Sequence, residues 1–119
     1  MKKILISLVN YKNHEVTVAC LRSLMKIASS GLEIRIIIVN NDTEKAFTFS
    51  EKTNFEIEII QSPDNLGFAG GHNVSLRRAE ELSVDYSLIL NNDTIVKKDF
   101  LEKLVEGAAT HDDQGIFGP

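Results

Sequence analysis

The chain has 119 residues with a formal net charge of -4; 43% of the residues are hydrophobic and 25% are charged. These values are ordinary for one soluble globular domain, and the negative charge gives no global basic field that would favour nucleic acid or an anionic membrane. The single cysteine, Cys20, excludes an intramolecular disulfide and favours a reducing compartment, and no stretch is long enough to span a bilayer.

The first third of the chain predicts two strands with a helix between them. Residues 4–9 are apolar and β-prone, which indicates the first strand. Residues 14–28 carry apolar side chains at helical spacing, and we predict a helix there that ends at Gly31. Cys20 lies in this run and is interpreted as a small core residue rather than a nucleophile. Residues 33–39 contain the run RIIIV and predict a buried second strand.

The middle of the chain predicts two further strands. Residues 44–54 are weakly patterned and indicate a short helix and a loop. Residues 55–60 alternate apolar and acidic side chains, as expected for a strand near the sheet edge. A glycine-rich turn at residues 66–71 then precedes a predicted helix at residues 72–82. Residues 84–90 predict a central strand that is buried on both faces.

The last segments complete an alternating pattern. Residues 98–109 predict an amphipathic helix, and residues 115–119 resemble the start of another strand. The resulting order is β-α-β-(α)-β-α-β-α-β, and such alternation implies parallel pairing with right-handed crossovers. We therefore predict one domain over residues 1–119 with an α/β fold, in three α/β/α layers around a mainly parallel sheet.

Polar clusters follow four of the predicted strands. Because the carboxyl ends of parallel strands meet at one edge of a sheet, we expect these clusters to line a common cleft. The clusters are Asn10 and Tyr11, residues 40–42, residues 63–71 and residues 91–93.

The cluster at residues 91–93 ends its predicted strand abruptly. If the strand geometry persisted to Asp93, then Asn91 and Asp93 would point the same way and Asn92 the other way. An amide and a carboxylate in one space suit Mg²⁺ or Mn²⁺ held mostly by a substrate's phosphates, since such ions often take only one or two protein carboxylates. The alternative is a turn with a capping Asp, because Asn and Asp are common turn formers.

Two other clusters offer groups for a ligand. Tyr11 could stack on a ring and Asn40 could pair with the amide edge of a pyrimidine, although a half-buried loop Tyr and a simple turn Asn are equally open. Gly67, Gly70 and Gly71 would let the backbone approach a ligand and adopt positive φ, and the helix after them would point free N–H groups toward an anion. The glycine spacing fits neither the dinucleotide fingerprint nor a P-loop.

The histidines are weaker candidates. His72 is interpreted as a solvated residue at a helix start, with contact to a substrate as the alternative. His14 and His111 have no metal-ligand partners at suitable spacing.

The motifs together resemble those of a known family over essentially the whole chain, in the right order and spacing. The chain resembles the amino-terminal half of the family 2 glycosyltransferases, and it looks closest to their rhamnosyltransferase-like branch. The resemblance rests on the segments SLVNYKN, IIIVNNDT, PDNLGFAGGHNVSL and LILNNDTIV. It implies a Rossmann-like nucleotide-sugar-binding half of a GT-A fold, inversion at the anomeric carbon, and a divalent Mg²⁺ or Mn²⁺ ion. The implied donor is dTDP-rhamnose or a UDP-sugar, and the implied acceptor is a glycan or a lipid-linked molecule.

The resemblance also implies roles for individual residues. Tyr11 and Asn40 fall where the family holds the base, and Asp93 falls at the metal-binding carboxylate of the Asp-x-Asp motif. Asn40 stands where many members have Asp, and Asn91 replaces the first acid of Asp-x-Asp. The implied nucleotide-sugar-binding residues are Asn10, Tyr11, Asn40, Asn65, Gly67, Gly70, Gly71, Asn73, Asn91 and Asn92.

The family's catalytic base is an acid on the carboxyl-terminal side of the sheet, which the resemblance would place beyond Pro119. We therefore expect this chain to be a truncated donor-binding half that is inactive alone. We expect it to self-associate through its carboxyl-terminal edge, near Ile116 and Phe117. A cytoplasmic location is expected, with the full-length protein able to lie at the inner face of the membrane.

Other functions remain open at this stage. One alternative is a catalytically silent α/β module that binds a nucleotide or a partner. A sugar nucleotidyltransferase would need an early glycine-rich loop with a basic residue, but residues 7–13 contain no glycine. A phosphoacceptor receiver domain would need acidic residues after the first strand, where this chain has Asn10 and Tyr11.

Overall fold

The computed structural model describes residues 1–110. The predicted strand at residues 115–119, and His111, lie outside the described residues. The described elements are β1 (Lys2–Asn10), α1 (His14–Leu24), β2 (Leu32–Asn40), β3 (Glu56–Gln61), α2 (Gly67–Leu82), β4 (Tyr86–Ile89) and α3 (Phe100–Thr110).

The strands form one four-stranded sheet in the order β3-β2-β1-β4, and every pairing is parallel. The chain passes from β1 outward to β2 and β3, and then returns through α2 to place β4 on the other side of β1. Right-handed crossovers in opposite directions put α1 and α2 on opposite faces of the sheet. The strand order therefore reverses between β1 and β4, and open α/β sheets bind their ligands in the crevice at such a point.

Alternate residues of β1 divide the core into two halves. Ile4 and Ile6 pack with the buried face of α1 and with Leu101 of α3. Leu5 lies on the other face and packs with Ala79 of α2. This arrangement is the predicted three-layer α/β/α fold, with α1 and α3 on one face and α2 on the other. Within the described residues, no helix has the length and apolar character needed to cross a bilayer.

The position of β4 corrects one prediction. The strand was expected to be central and buried on both faces, but β4 pairs only with β1 in the described sheet. Its side chains alternate between half-buried and exposed, and Ile89 is 47% exposed. The apolar run is therefore explained by one buried face, since β1 occupies the centre of the sheet. The prediction that residues 55–60 form an edge strand is confirmed by β3.

Three predictions about the helices are also corrected. Residues 44–54 form no helix; they are an irregular crossover whose Phe47 is 4% exposed and packs in the core beside α1. The glycine-rich segment is not a turn before α2 but its first turns, because α2 begins at Gly67. The first helix ends at Leu24, earlier than predicted, and Ser23 Oγ donates a hydrogen bond to the carbonyl of Cys20 (2.7 Å) near that end.

Candidate functional site

The carboxyl edge of the sheet brings the predicted polar clusters together. Asn10 is the register partner of Asn40, and Asn40 is the register partner of Gln61. Three amide side chains therefore stand side by side at the last positions of three adjacent strands. Gln61 was missed in the sequence because it ends an alternating strand and belongs to no Asn- or Asp-rich turn.

The side chain of Asn40 is fully buried and hydrogen-bonded within the protein. Its Oδ1 accepts from Asn10 Nδ2 (3.0 Å) and from the backbone N–H of Asp42 (3.1 Å). Its Nδ2 donates to the carbonyl of Lys45 (2.9 Å) and to Gln61 Oε1 (2.8 Å). The donors and acceptors of this amide are thus already used, so pairing with a base would require these bonds to open. The base contact of Asn40 stays a prediction.

The polar cluster at the end of β1 contains one buried and one exposed side chain. Asn10 is fully buried, and its Oδ1 accepts a hydrogen bond from Thr17 Oγ1 (2.6 Å). Tyr11 is 45% exposed, and Lys12 Nζ lies 5.1 Å from the centroid of its ring. The Tyr11 ring is therefore the group in this cluster that can stack on an aromatic ligand.

The loop after β2 is closed by a contact between His14 and Asp42. His14 Nε2 lies 3.1 Å from Asp42 Oδ2, and the His14 ring stacks on Phe47 at 5.6 Å between centroids. Asp42 Oδ1 accepts hydrogen bonds from the backbone N–H groups of Glu44 (2.9 Å) and Lys45 (3.2 Å). The Glu44 N–H, followed by the His14 ring, holds the pKa of the Asp42 carboxyl below its usual value. This carboxylate anchors the loop, and its oxygens already have partners.

Residues 91–93 form a turn rather than an extension of β4. The last bond to β1 runs from the N–H of Leu90 to the carbonyl of Ser7 (3.1 Å), and Thr94 N–H then donates to the carbonyl of Asn91 (3.1 Å). Asn91 and Asp93 are exposed. Asn92 is half-buried and donates its Nδ2 to Thr17 Oγ1 (2.9 Å). The exposure of the three side chains alternates as predicted for a continued strand, but the backbone forms the turn that was the alternative prediction.

The donor chemistry of this turn fits a shared metal site. Asp93 offers an exposed carboxylate and Asn91 an exposed amide, and both carry oxygen donors. Among the residues that the structure describes, no cluster of three or more His, Cys, Asp or Glu side chains could hold a metal ion. A Mg²⁺ or Mn²⁺ ion at Asp93 would therefore depend on oxygens that a phosphate-bearing ligand supplies.

Cys20 lies behind the same turn. It is fully buried in α1, and its Sγ donates toward the carbonyl of Asn91 at 3.9 Å. Burial, with a further contribution from the Asp93 carboxylate, raises the pKa of the Cys20 thiol to about 11. The thiol is thus unreactive at neutral pH, and its interpretation as a core residue is confirmed.

The three glycines of α2 serve different purposes. Gly67 has φ 73°, but neither Gly70 nor Gly71 has a positive φ. A Cβ at Gly71 would lie 2.7 Å from Val9 Cγ2 and 3.2 Å from Asn41 Nδ2, and a Cβ at Gly70 would lie 2.8 Å from Leu66 Cβ. The expectation of positive φ is therefore confirmed only for Gly67. Gly71 is required for a different reason, which is the close packing of α2 on β1.

The start of α2 is held by two asparagines. Asn65 Oδ1 accepts from the N–H of Gly67 (3.0 Å), and Asn41 Nδ2 donates to the carbonyl of Gly67 (2.9 Å). The side chain of Leu66 makes no capping hydrogen bond, and the N–H of Gly67 is already used by Asn65, so only the first-turn N–H groups after Gly67 can face a ligand. Asn73, further along α2, is exposed. Asn41 belongs to the predicted polar cluster at residues 40–42, but its contact with Gly67 could not be predicted, because the two residues are distant in the chain.

His72 is not solvated, which corrects its interpretation. It is 2% exposed, its Nδ1 lies 2.7 Å from Ser7 Oγ, and Phe68 packs on its ring edge-to-face at 4.4 Å. Burial lowers the pKa of His72. The physical reason is the early start of α2, which places His72 in the second turn, facing the sheet.

Two hollows of the surface lie away from this edge. One, of about 380 Å³, is lined by residues near the amino ends of the strands, including Met1 and Leu32. The other, of about 560 Å³, lies beside α1 and includes Ala19 and Ile95. Neither is lined by any of the predicted site residues, so the candidate site is an open edge rather than either of these hollows.

A parallel α/β sheet whose strand order reverses between β1 and β4 is an open, doubly wound fold of the Rossmann-like class. Within that class, residues 4–119 match the family described as Glycosyl transferase family 2, and the chain belongs to this family. No curated protein sequence matches the chain.

Solved structures of S. aureus TarS share the fold. The structure of TarS 1-349 in complex with UDP has 22% sequence identity and a TM-score of 0.74, over 94% of this chain and 33% of that chain. A second structure of TarS 1-349 has 20% identity and a TM-score of 0.67 over the same shares. A structure of TarS has the same identity and TM-score, over 94% of this chain and 20% of that chain. The fold is therefore that of the amino-terminal half of a GT-A enzyme, and the chain spans a third or less of these structures.

Proposed function

We propose that this chain forms the donor-binding side of an inverting glycosyltransferase, which takes a nucleoside diphosphate sugar together with Mg²⁺ or Mn²⁺. The observation that carries the proposal is the exposed turn at residues 91–93. It lies at the carboxyl end of β4, beside the point where the strand order reverses, in a member of glycosyltransferase family 2. A carboxylate at that point suits a cation that accompanies a diphosphate.

The proposed donor is a UDP-sugar or dTDP-rhamnose. The similar TarS structure contains UDP, which supports a uridine nucleotide as the first ligand to test. A rhamnosyl donor is supported by the resemblance of the motifs to the rhamnosyltransferase-like branch. The acceptor is proposed to be a glycan or a lipid-linked molecule, reached from the cytoplasm or the inner face of the membrane.

Each part of the edge has a role in this proposal. Tyr11 stacks on the base, and the first-turn N–H groups of α2 after Gly67 face the diphosphate. Asp93 and Asn91 supply oxygens to the divalent cation, which when bound neutralises negative charge on the departing diphosphate. The attacking acceptor hydroxyl loses its proton to a base other than Asp42, because the oxygens of Asp42 already hold the loop.

Calorimetric titration of UDP with and without MnCl₂ tests the proposal. We expect UDP to bind with Mn²⁺ and to lose binding on addition of EDTA. Asp93→Asn should weaken Mn²⁺-dependent binding by about tenfold or more, since a charged contact contributes roughly 1.5–3 kcal/mol. Asp99→Asn is the matched control, because Asp99 is an exposed carboxylate that pairs with Lys103 on α3. Tight binding that is insensitive to EDTA and to Asp93→Asn would reject the metal site.

A further inference from the structure

Five side chains form a continuous series of hydrogen bonds beneath the carboxyl edge, here called the amide chain. Asn92 Nδ2 donates to Thr17 Oγ1 (2.9 Å), and Thr17 Oγ1 donates to Asn10 Oδ1 (2.6 Å). Asn10 Nδ2 donates to Asn40 Oδ1 (3.0 Å), and Asn40 Nδ2 donates to Gln61 Oε1 (2.8 Å). The series starts in the turn after β4, passes through α1 and the end of β1, and reaches the ends of β2 and β3.

Backbone groups fix the direction of the amide chain at Asn40. The N–H of Asp42 can only donate, so it requires an oxygen at the Asn40 Oδ1 position. The carbonyl of Lys45 can only accept, so it requires the NH₂ group at the Nδ2 position. An Asn40 amide turned the other way would place oxygen against oxygen and NH₂ against N–H.

The orientation of Asn40 then determines each residue back to Asn92. Asn10 must give its NH₂ to Asn40 Oδ1, which leaves Asn10 Oδ1 facing Thr17. The hydroxyl of Thr17 has one hydrogen, which goes to Asn10, so it can only accept from the next residue. Position 92 must therefore supply a donor, and an Asp there would place carboxylate oxygen against the lone pairs of Thr17.

Burial makes this order matter energetically. Asn10, Thr17 and Asn40 are each fully buried, so a donor or acceptor left without a partner there keeps its full desolvation cost. Hydrogen bonds in series also polarise one another, so the loss of one link weakens its neighbours. The Asn at position 40 fits this scheme, because an Asp could not donate to the carbonyl of Lys45 or to Gln61.

We propose that Thr17 and Asn92 are positioning residues that hold the turn at residues 91–93 in register with the ends of β1, β2 and β3. The amide of Asn92 acts as the donor that ties the turn to the sheet, rather than as a contact to a nucleotide. The proposal rests on the proposed function for what the turn binds. The geometry of the turn itself can be tested without any ligand.

The test compares Thr17→Val with Thr17→Ser in the 119-residue chain. Valine keeps the shape of threonine but removes the hydroxyl, whereas serine keeps the hydroxyl. The first measurement is amide hydrogen exchange at Thr94, whose N–H donates to the carbonyl of Asn91. We expect Thr17→Val to speed this exchange by about tenfold and Thr17→Ser to restore the parental rate. Unchanged exchange in folded Thr17→Val would overturn the proposal.

Asn92→Asp provides a second variant that does not disturb a fully buried position. Because Asp cannot donate to Thr17, we expect the same faster exchange at Thr94, and a parental rate would overturn the proposal even if Thr17→Val did not fold.

The second measurement is binding of UDP with MnCl₂, which we expect Thr17→Val to weaken by about tenfold while Thr17→Ser binds like the parent. Absence of UDP binding in the parent would contradict the proposed function but would leave the exchange result to decide the positioning role. Parental UDP binding in Thr17→Val, when the parent does bind, would overturn the positioning role.

Discussion

Gly71 is a position at which α2 packs closely against the sheet. A Cβ there would be 2.7 Å from Val9 Cγ2, inside a packed strand, whereas a Cβ at Gly70 would be 2.8 Å from the Cβ of Leu66, whose side chain is 44% exposed. We expect Gly71→Ala to be about 1–3 kcal/mol less stable than the parent, because overpacking costs that much. Urea unfolding of Gly71→Ala and the parent measures the difference. Equal midpoints would show that the sheet yields at Val9.

Cys20 should make the free energy of unfolding depend on pH in the alkaline range. Its thiol pKa is about 11 in the folded protein against an ordinary value of 9.0, since burial disfavours the thiolate. A folded pKa above the unfolded one gives stability that is present below pH 9 and is lost as pH rises through 11. We therefore expect the free energy of unfolding to fall more steeply between these pH values in the parent than in Cys20→Ala. Parallel pH profiles in urea melts would contradict the buried, protonated thiol.

At this scale the sequence predicted where the polar residues lie, but not what they contact. The alternating pattern predicted their place on the carboxyl edge, because Asn10 and Asn40 end strands and residues 91–93 follow one. The partners of Asn40 and Asn92 could not, because Thr17 is 75 residues from Asn92 and the contact depends on how α1 packs beside β4. The sequence predicts these amides as ligand groups, although the amides of Asn10 and Asn40 are buried and hydrogen-bonded to neighbouring side chains.

At the scale of elements, strands and amphipathic helices were predictable because hydrophobic periodicity is local. Order within the sheet was not: in the described sheet β4 pairs only with β1, and a short apolar run does not tell one buried face from two. The start of α2 was also missed, since glycines usually indicate turns and here allow a helix to approach β1. In each case tertiary packing, rather than local preference, decided the outcome.

The crossover between β2 and β3 depends on one aromatic anchor in place of the predicted helix. Phe47 is 4% exposed, packs in the core and stacks with His14 at 5.6 Å. Phe47→Ala should cost about 3–5 kcal/mol, as expected for truncating a buried Phe. The matched control is Phe49→Ala, because Phe49 is only partly buried and should cost less. Thermal or urea unfolding of the two variants checks this, and similar losses would mean that Phe47 does not anchor the crossover.

At the scale of the whole molecule, the α/β class followed from the alternation of elements, and the family followed from the order and spacing of four motifs. The described sheet ends at β4 on one side and at β3 on the other. The two edges differ, because β3 carries Glu56 and Glu58, which pair with Arg35, whereas β4 carries Ser87 and Ile89 on its exposed face. Charged residues protect an edge from pairing, so among the described strands β4 is the edge strand with less protection against pairing.

Self-association through β4 is therefore expected. Ile89 is 47% exposed and is the register partner of Ser7 on β1. Ser7 contacts His72 of α2, and Phe68 of α2 is 57% exposed. Sedimentation velocity over a range of concentrations should show a concentration-dependent dimer or larger species. Ile89→Lys should shift the chain toward monomer, because lysine on an edge strand opposes pairing. Ile95→Lys is the matched control, since Ile95 is 64% exposed but lies outside the strand. A parent chain that stays monomeric, or equal responses of the two lysine variants, would exclude β4 as the associating edge.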